Sequence, residues 1–157
     1  MSDVRAQILD VDYPDTAAAR ININAPASVI FDLLANPRAH STFDGSGTIK
    51  KSISGPDRLF LGAKFGMAMK VKVPYRITNT VVAYDENMKI TWSHLMKWTW
   101  SYELLELGNG QTQVTEIFDG SKVSAFSRWW LRKTDSLARN PKWMAKSLVR
   151  LKAICEG

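Results

Sequence analysis

The sequence predicts an α+β fold, an antiparallel sheet packed against a C-terminal amphipathic helix. Three observations predict it. Between Gly47 and Asp119, apolar residues recur at alternate positions over several short runs. After Gly120 the period becomes helical. Only short turn signals separate successive strands, which favours a meander over the strand–helix alternation of a doubly wound fold.

The elements follow in order. Ala18–Asn24 alternates, with Ile21 and Ile23 against Asn22 and Asn24, and reads as a strand. Ala25-Pro26 opens a helix whose Ile30, Leu33 and Leu34 share a face, and Asn36-Pro37 ends it. Residues 37–42 allow one short further turn. Thr48–Ser54 reads as a strand, with Gly55-Pro56-Asp57 as the turn after it. In 64–72, Phe65, Met67, Met69 and Val71 oppose Lys64, Lys70 and Lys72, the pattern of a sheet with one wet face. Pro74 interrupts, and Tyr75–Tyr84 follows with Tyr75, Ile77, Asn79, Val81 and Ala83 on one side. Asp85-Glu86-Asn87 is a turn. Lys89–Ser93 carries Ile90 and Trp92 on one face, continued by His94. Trp98, Trp100, Tyr102 and Leu104 alternate in the next strand. Gly108-Asn109-Gly110 is a hairpin turn, and Gln111–Asp119 returns. Ala125–Lys133 is apolar and basic. Asn140-Pro141 reads as the cap and first residue of a last helix, with Trp143, Met144, Ser147, Leu148, Leu151 and Ile154 in one stripe. Residues 1–16 are expected as a flexible segment ahead of one domain over 17–157.

At 157 residues, with 45% hydrophobic and 23% charged residues, the chain can bury a core without a disulfide or metal. A single cysteine, Cys155, excludes an intrachain disulfide. The first fifteen residues, polar and carrying four aspartates, lack the pattern of a signal peptide, and no run is long enough to span a bilayer. A cytoplasmic address is expected. The net charge of +6 is uneven: residues 122–157 hold nine Lys/Arg against two acids, the first 121 residues twelve against thirteen. Such asymmetry suits an anionic partner, or simply a solvated helix face.

Particular segments carry a family resemblance. Ile23-Asn24-Ala25-Pro26 with Val29–Leu34 and Asn36-Pro37, Lys89–Trp92 followed by Trp100–Leu104, and Gly110–Glu116 resemble the first strand and helix, the central hairpin and the following strand of the START-related (SRPBCC) superfamily. That superfamily includes lipid-transfer, pollen-allergen-type and polyketide cyclase/dehydrase-like proteins. The resemblance covers about residues 17–155. It implies the helix-grip fold, a curved antiparallel sheet wrapped around a long C-terminal helix with an apolar cavity between them. It implies no shared catalytic set, and fold alone does not fix function.

Two histidines, one cysteine and no ligand spacing argue against a metal site, and no cofactor is expected. Gly45-Ser46-Gly47 lacks the context of a phosphate loop or nucleophile elbow and reads as a turn. His94 and Glu116 are the candidate catalytic groups. His94 can exchange protons near neutral pH if it faces the cavity, or sit half-solvated at a strand end. Glu116 enters the cavity if Val114 and Phe118 face inward, and is exposed if Ile117 does. The expected ligand-binding residues are Phe65, Met67, Met69, Tyr75, Ile77, Asn79, Trp92, His94, Trp100, Tyr102, Phe118, Trp130 and Met144: large, soft side chains with a few polar anchors, or simply core. Trp129-Trp130 beside Arg128, Arg132 and Lys133 suits a membrane interface or a lid. The expected function is carriage of a small hydrophobic ligand (a lipid, isoprenoid or polyketide-like molecule). The alternatives are a cyclase- or dehydratase-type enzyme and a module that touches anionic membranes through the basic C-terminal region. Nucleic acid is not an expected partner.

Overall fold

The computed structural model describes residues 4–9, 11, 16–70, 72–94, 97–133 and 136–157, without the side chains of 53 and 130–140. Val71 and the Trp130 side chain therefore lie outside the described residues.

The elements are β1 (Gln7–Leu9), β2 (Thr16–Ile23), α1 (Ala27–Leu34), a 3-10 turn (Pro37–Ala39), α2 (His40–Phe43), β3 (Ile49–Ser54), β4 (Lys64–Lys70), β5 (Pro74–Asp85), β6 (Lys89–His94), β7 (Thr99–Glu106), β8 (Thr112–Asp119), α3 (Ala125–Lys133) and α4 (Ser136–Glu156). Among the described residues, eight strands form one antiparallel sheet in the order β1-β2-β8-β7-β6-β5-β4-β3. The period-two pattern is used as expected. Phe65 and Met67, Ile90 and Trp92, Tyr102 and Leu104, and Val114 and Phe118 turn their side chains into one core. Ile30, Phe31 and Leu34 of α1 and Met144, Leu148 and Leu151 of α4 close it. α4 packs chiefly against β2, where Ala17 and Ala19 let the helix approach closely.

The structure corrects three expectations. Residues 7–9 are not part of a free tail: they pair with Ala18–Arg20 as an edge strand. α4 starts at Ser136, so Pro141 lies inside it. A proline there deprives only the Leu137 carbonyl of its donor, and the helix continues through it. On β5, a bulge between Val81 and Ala83 shifts the register, and Tyr84 turns its ring onto Phe31 at 5.4 Å.

The segment joining α2 to β3 is held against α4. Gly45 N–H donates to Ser147 Oγ at 2.7 Å, and Arg150 donates to the Asp44 carbonyl. Asp44 caps its own turn, accepting from Ser46 N at 3.1 Å, Ser46 Oγ at 2.8 Å and Ile49 N at 3.1 Å. Further along α4, at its C-terminal end, Lys152 donates to the Asn22 carbonyl at 2.9 Å and Glu156 accepts from Asn24 N at 2.7 Å. Among the described residues, no helix is long and apolar enough to cross a membrane.

Candidate functional site

β7 and β8 place Tyr102 and Glu116 side by side as cross-strand partners. On β8 the residues 112, 114, 116 and 118 are buried and those between are half-buried, so Glu116 points into the core with Val114 and Phe118. Its side chain is 3% exposed. The Tyr102 hydroxyl donates to it, while Oε2 is buried with no partner. Burial raises the Glu116 pKa to about 8, with a smaller push from the charge of Asp44; the Tyr102 bond opposes the shift. At neutral pH the group is therefore mostly an uncharged carboxylic acid. Burial, with Glu116 beside it, also raises the Tyr102 hydroxyl well above its usual value.

Above this pair lies an aromatic layer. His40 stacks on Trp92 at 5.0 Å and meets Phe65 and Phe43 edge-on, each at 5.6 Å. Trp92 contacts Tyr102 at 5.7 Å. His40 Nε2–H donates to the Leu34 carbonyl at 2.8 Å, which satisfies an orphan carbonyl at the end of α1 and fixes the neutral tautomer. Burial lowers the His40 pKa to about 4, partly offset by that bond and by Asp44. His40 is thus neutral when folded and takes up a proton below pH 6.5 only when unfolded. Its contribution to stability is present above pH 6.5 and lost as pH falls towards 4. Between pH 6.5 and 4.5 this loss opposes a gain from the raised acid Glu116, so the wild-type Tm should be nearly flat there, and His40→Gln, which keeps a donor but does not titrate, should leave a Tm that rises as pH falls. The same pH profile in both proteins would mean that His40 does not contribute to it.

The expected ligand-binding residues fall into two groups. Phe65, Met67, Asn79, Trp92, Tyr102, Phe118 and Met144 are buried around Glu116 and His40. Met69, Ile77, His94 and Trp100 are half-buried, nearer the sheet end where β4 gives way to β5 and β6 to β7. Tyr75 is not an inward residue: Pro74, Tyr75 and Arg76 are all exposed, because β5 outruns the cover of the helices. His94 and Glu116 are not brought together. Glu116 sits in the row Ile90–Tyr102–Glu116, and His94 is four residues further along β6, roughly 13 Å along the strand direction. His94 stacks instead on Trp98 at 4.4 Å, and partial burial lowers its pKa. The histidine of the inner site is His40, which the sequence signalled only by its place between Ala39 and Phe43 in a short turn. A groove of about 460 Å³ between residues 4–6 and Ala145–Arg150 lies on the outer side of α4 and is lined by none of the expected residues.

This architecture recurs among solved structures. Protein Ms6760 from Mycobacterium smegmatis superposes with a TM-score of 0.68 over 94% of this chain and 96% of that one, at 16% identity. The Polyketide_cyc-like protein Cgl2372 from Corynebacterium glutamicum does so with a TM-score of 0.59 over 93% and 94%, at 20% identity. This chain has the helix-grip fold. In that helix-grip frame, α4 is the gripped helix and Glu116 lies on the gripping sheet. No family model matches the sequence. The uncharacterized protein Rv0088 of Mycobacterium tuberculosis is 39% identical over 107 residues, 68% of this chain and 48% of that protein. The chain therefore spans about half the length of the curated relatives it matches.

Proposed function

We propose that this chain binds a small hydrophobic molecule carrying one hydrogen-bonding group, held between the concave sheet face and α4. One observation carries the proposal. Glu116 is a buried, uncharged acid among aromatic and aliphatic side chains, with one oxygen left without a partner. Leaving such a group unsatisfied costs about 1–3 kcal/mol, which a ligand carbonyl or hydroxyl would recover. Mostly apolar walls with one or two polar anchors are the usual makeup of a small-molecule site. Asn79 is a further buried polar group of the sheet, and Met67 and Met144 supply adaptable walls.

Native mass spectrometry with organic extraction, on protein purified from its own source, tests this reading. A stoichiometric hydrophobic molecule with a carbonyl or hydroxyl group is expected. An empty protein that also ignores a panel of lipids, isoprenoids and aromatic polyketides would remove the proposal.

A second reading has its own support. A carboxylic acid with a pKa near 8, bonded to a tyrosine hydroxyl, can exchange a proton with a bound carbonyl compound, as a cyclase or dehydratase requires. Under that reading the extracted molecule changes chemically on incubation, and Glu116→Gln stops the change while binding persists.

A further inference from the structure

The two ends of the sheet differ in charge and in turn chemistry. One end carries the start of β3, the β4–β5 turn, the β6–β7 turn and the segment from β8 to α3. Six exposed lysines sit there: Lys50, Lys51, Lys70, Lys72, Lys97 and Lys122. None has an ion-pair partner among the described residues. At the opposite end several of the cations are paired. Arg38 pairs with Asp57, Arg58 with Asp32 and Glu86, and Lys152 with Glu156.

The turns point the same way. At the opposite end the left-handed positions hold Asn87, Gly108 and Gly110, residues that adopt positive φ at little cost. At the lysine end both hairpins place a lysine there, Lys72 and Lys97, each at φ 70°. A glycine or asparagine would be less strained at either tip. Strain kept at two exposed turns, each time for the same charged residue, points to a contact made by that residue.

Apolar side chains stand among these cations. Val73, next to Lys72, is 71% exposed. On α3, Phe126 and Trp129 are 66% and 51% exposed and stack on each other at 6.0 Å. The opposite end also exposes Phe60 and Leu61, but there Lys64 is the nearby exposed lysine rather than one of a cluster of six.

We infer that the lysine end of the sheet docks on an anionic lipid bilayer, with Lys72 and Lys97 at the headgroups and Val73, Phe126 and Trp129 entering the interfacial layer. Lysines reach phosphates from flexible stems while neighbouring aromatic and aliphatic groups bury below them, and attraction to anionic lipid adds to that burial. On α4, Arg150 is turned back onto Asp44 and Lys152 onto Asn22 and Glu156, which leaves Lys142 and Lys146 as its exposed lysines, fewer than the six at the sheet end. This inference does not depend on the ligand proposal.

Co-sedimentation of the full chain with vesicles tests it, using phosphatidylcholine alone and phosphatidylcholine with about a third phosphatidylglycerol. Binding is expected only to the anionic vesicles and should weaken as salt rises. Lys72→Glu with Lys97→Glu should weaken it at least tenfold, and Phe126→Ala with Trp129→Ala should also reduce it. Lys72→Gly with Lys97→Gly separates binding from folding: relief of the positive-φ strain should hold or raise Tm while vesicle binding falls. No binding to anionic vesicles at low salt would overturn the inference. So would binding unchanged in the lysine variants, or retention by nucleic acid or acidic protein in place of lipid.

Discussion

Gly45→Ala is expected to lower Tm by about 6–12 °C, the equivalent of roughly 3 kcal/mol in a domain of this size. A methyl group at Gly45 would stand 2.5 Å from Lys146 Cβ and 2.6 Å from Ser147 N, and against the Trp143 carbonyl. Two of these three neighbours are helix backbone, so no rotamer change relieves the clash. The loop would have to lift from α4, breaking the Gly45–Ser147 hydrogen bond at 2.7 Å and loosening the segment that carries Asp44. Differential scanning calorimetry of the two proteins checks this. A loss below 2 °C would mean that the loop does not seat on α4 as described. Gly47→Ala, at a position with open space but φ 69°, should cost less, since only backbone strain is involved.

Glu116→Gln is expected to remove a loss of stability at neutral to alkaline pH. The folded-state pKa of Glu116 is raised to about 8 from 4.5. A raised acid contributes its full stability below the unfolded value and loses it as pH climbs through the folded one. The penalty thus grows from pH 4.5 to about 8, to a total on the order of 5 kcal/mol. His40 acts in the opposite sense between pH 6.5 and about 4, so the two largely cancel between 4.5 and 6.5. From pH 6.5 to 8 Glu116 acts without that offset. Wild-type protein should lose about 2 kcal/mol across that window, roughly 4–8 °C in Tm. The glutamine variant should stay nearly flat there. An alkaline loss of equal size in both proteins would assign it to another group.

The strands and their inward faces were legible because a one-wet-face sheet enforces alternation, as Phe65 and Met67 against Lys64 show. The parity of Glu116 was not legible. Ile117 is half-buried on the other face of β8, so both parities offered an apolar set, and only pairing with Ala19 and Tyr102 decides between them. His94 looked like the inner histidine because it continues the Ile90–Trp92 face, but β6 ends there and the ring stacks on Trp98 near the rim. His40 was passed over because its role depends on a contact six residues back, at the Leu34 carbonyl. The start of α4 was misplaced by Pro141, which reads as a helix opener and is carried inside a helix. The demand for glycine at position 45 comes from a helix about a hundred residues away, which no local pattern can encode.

The most direct test of a hydrogen-bonding role for Glu116 in ligand binding is the affinity of a hydrophobic carbonyl compound, taken from the extraction or the panel, for wild-type, Glu116→Gln and Glu116→Leu proteins at pH 7, with folding of each confirmed by its thermal transition. The glutamine variant, which still donates a hydrogen bond, should bind within a fewfold of wild type, and the leucine variant at least tenfold more weakly, about 1.4 kcal/mol. Equal affinity in wild-type and leucine proteins would contradict the assignment and leave Glu116 as a buried acid with no part in binding.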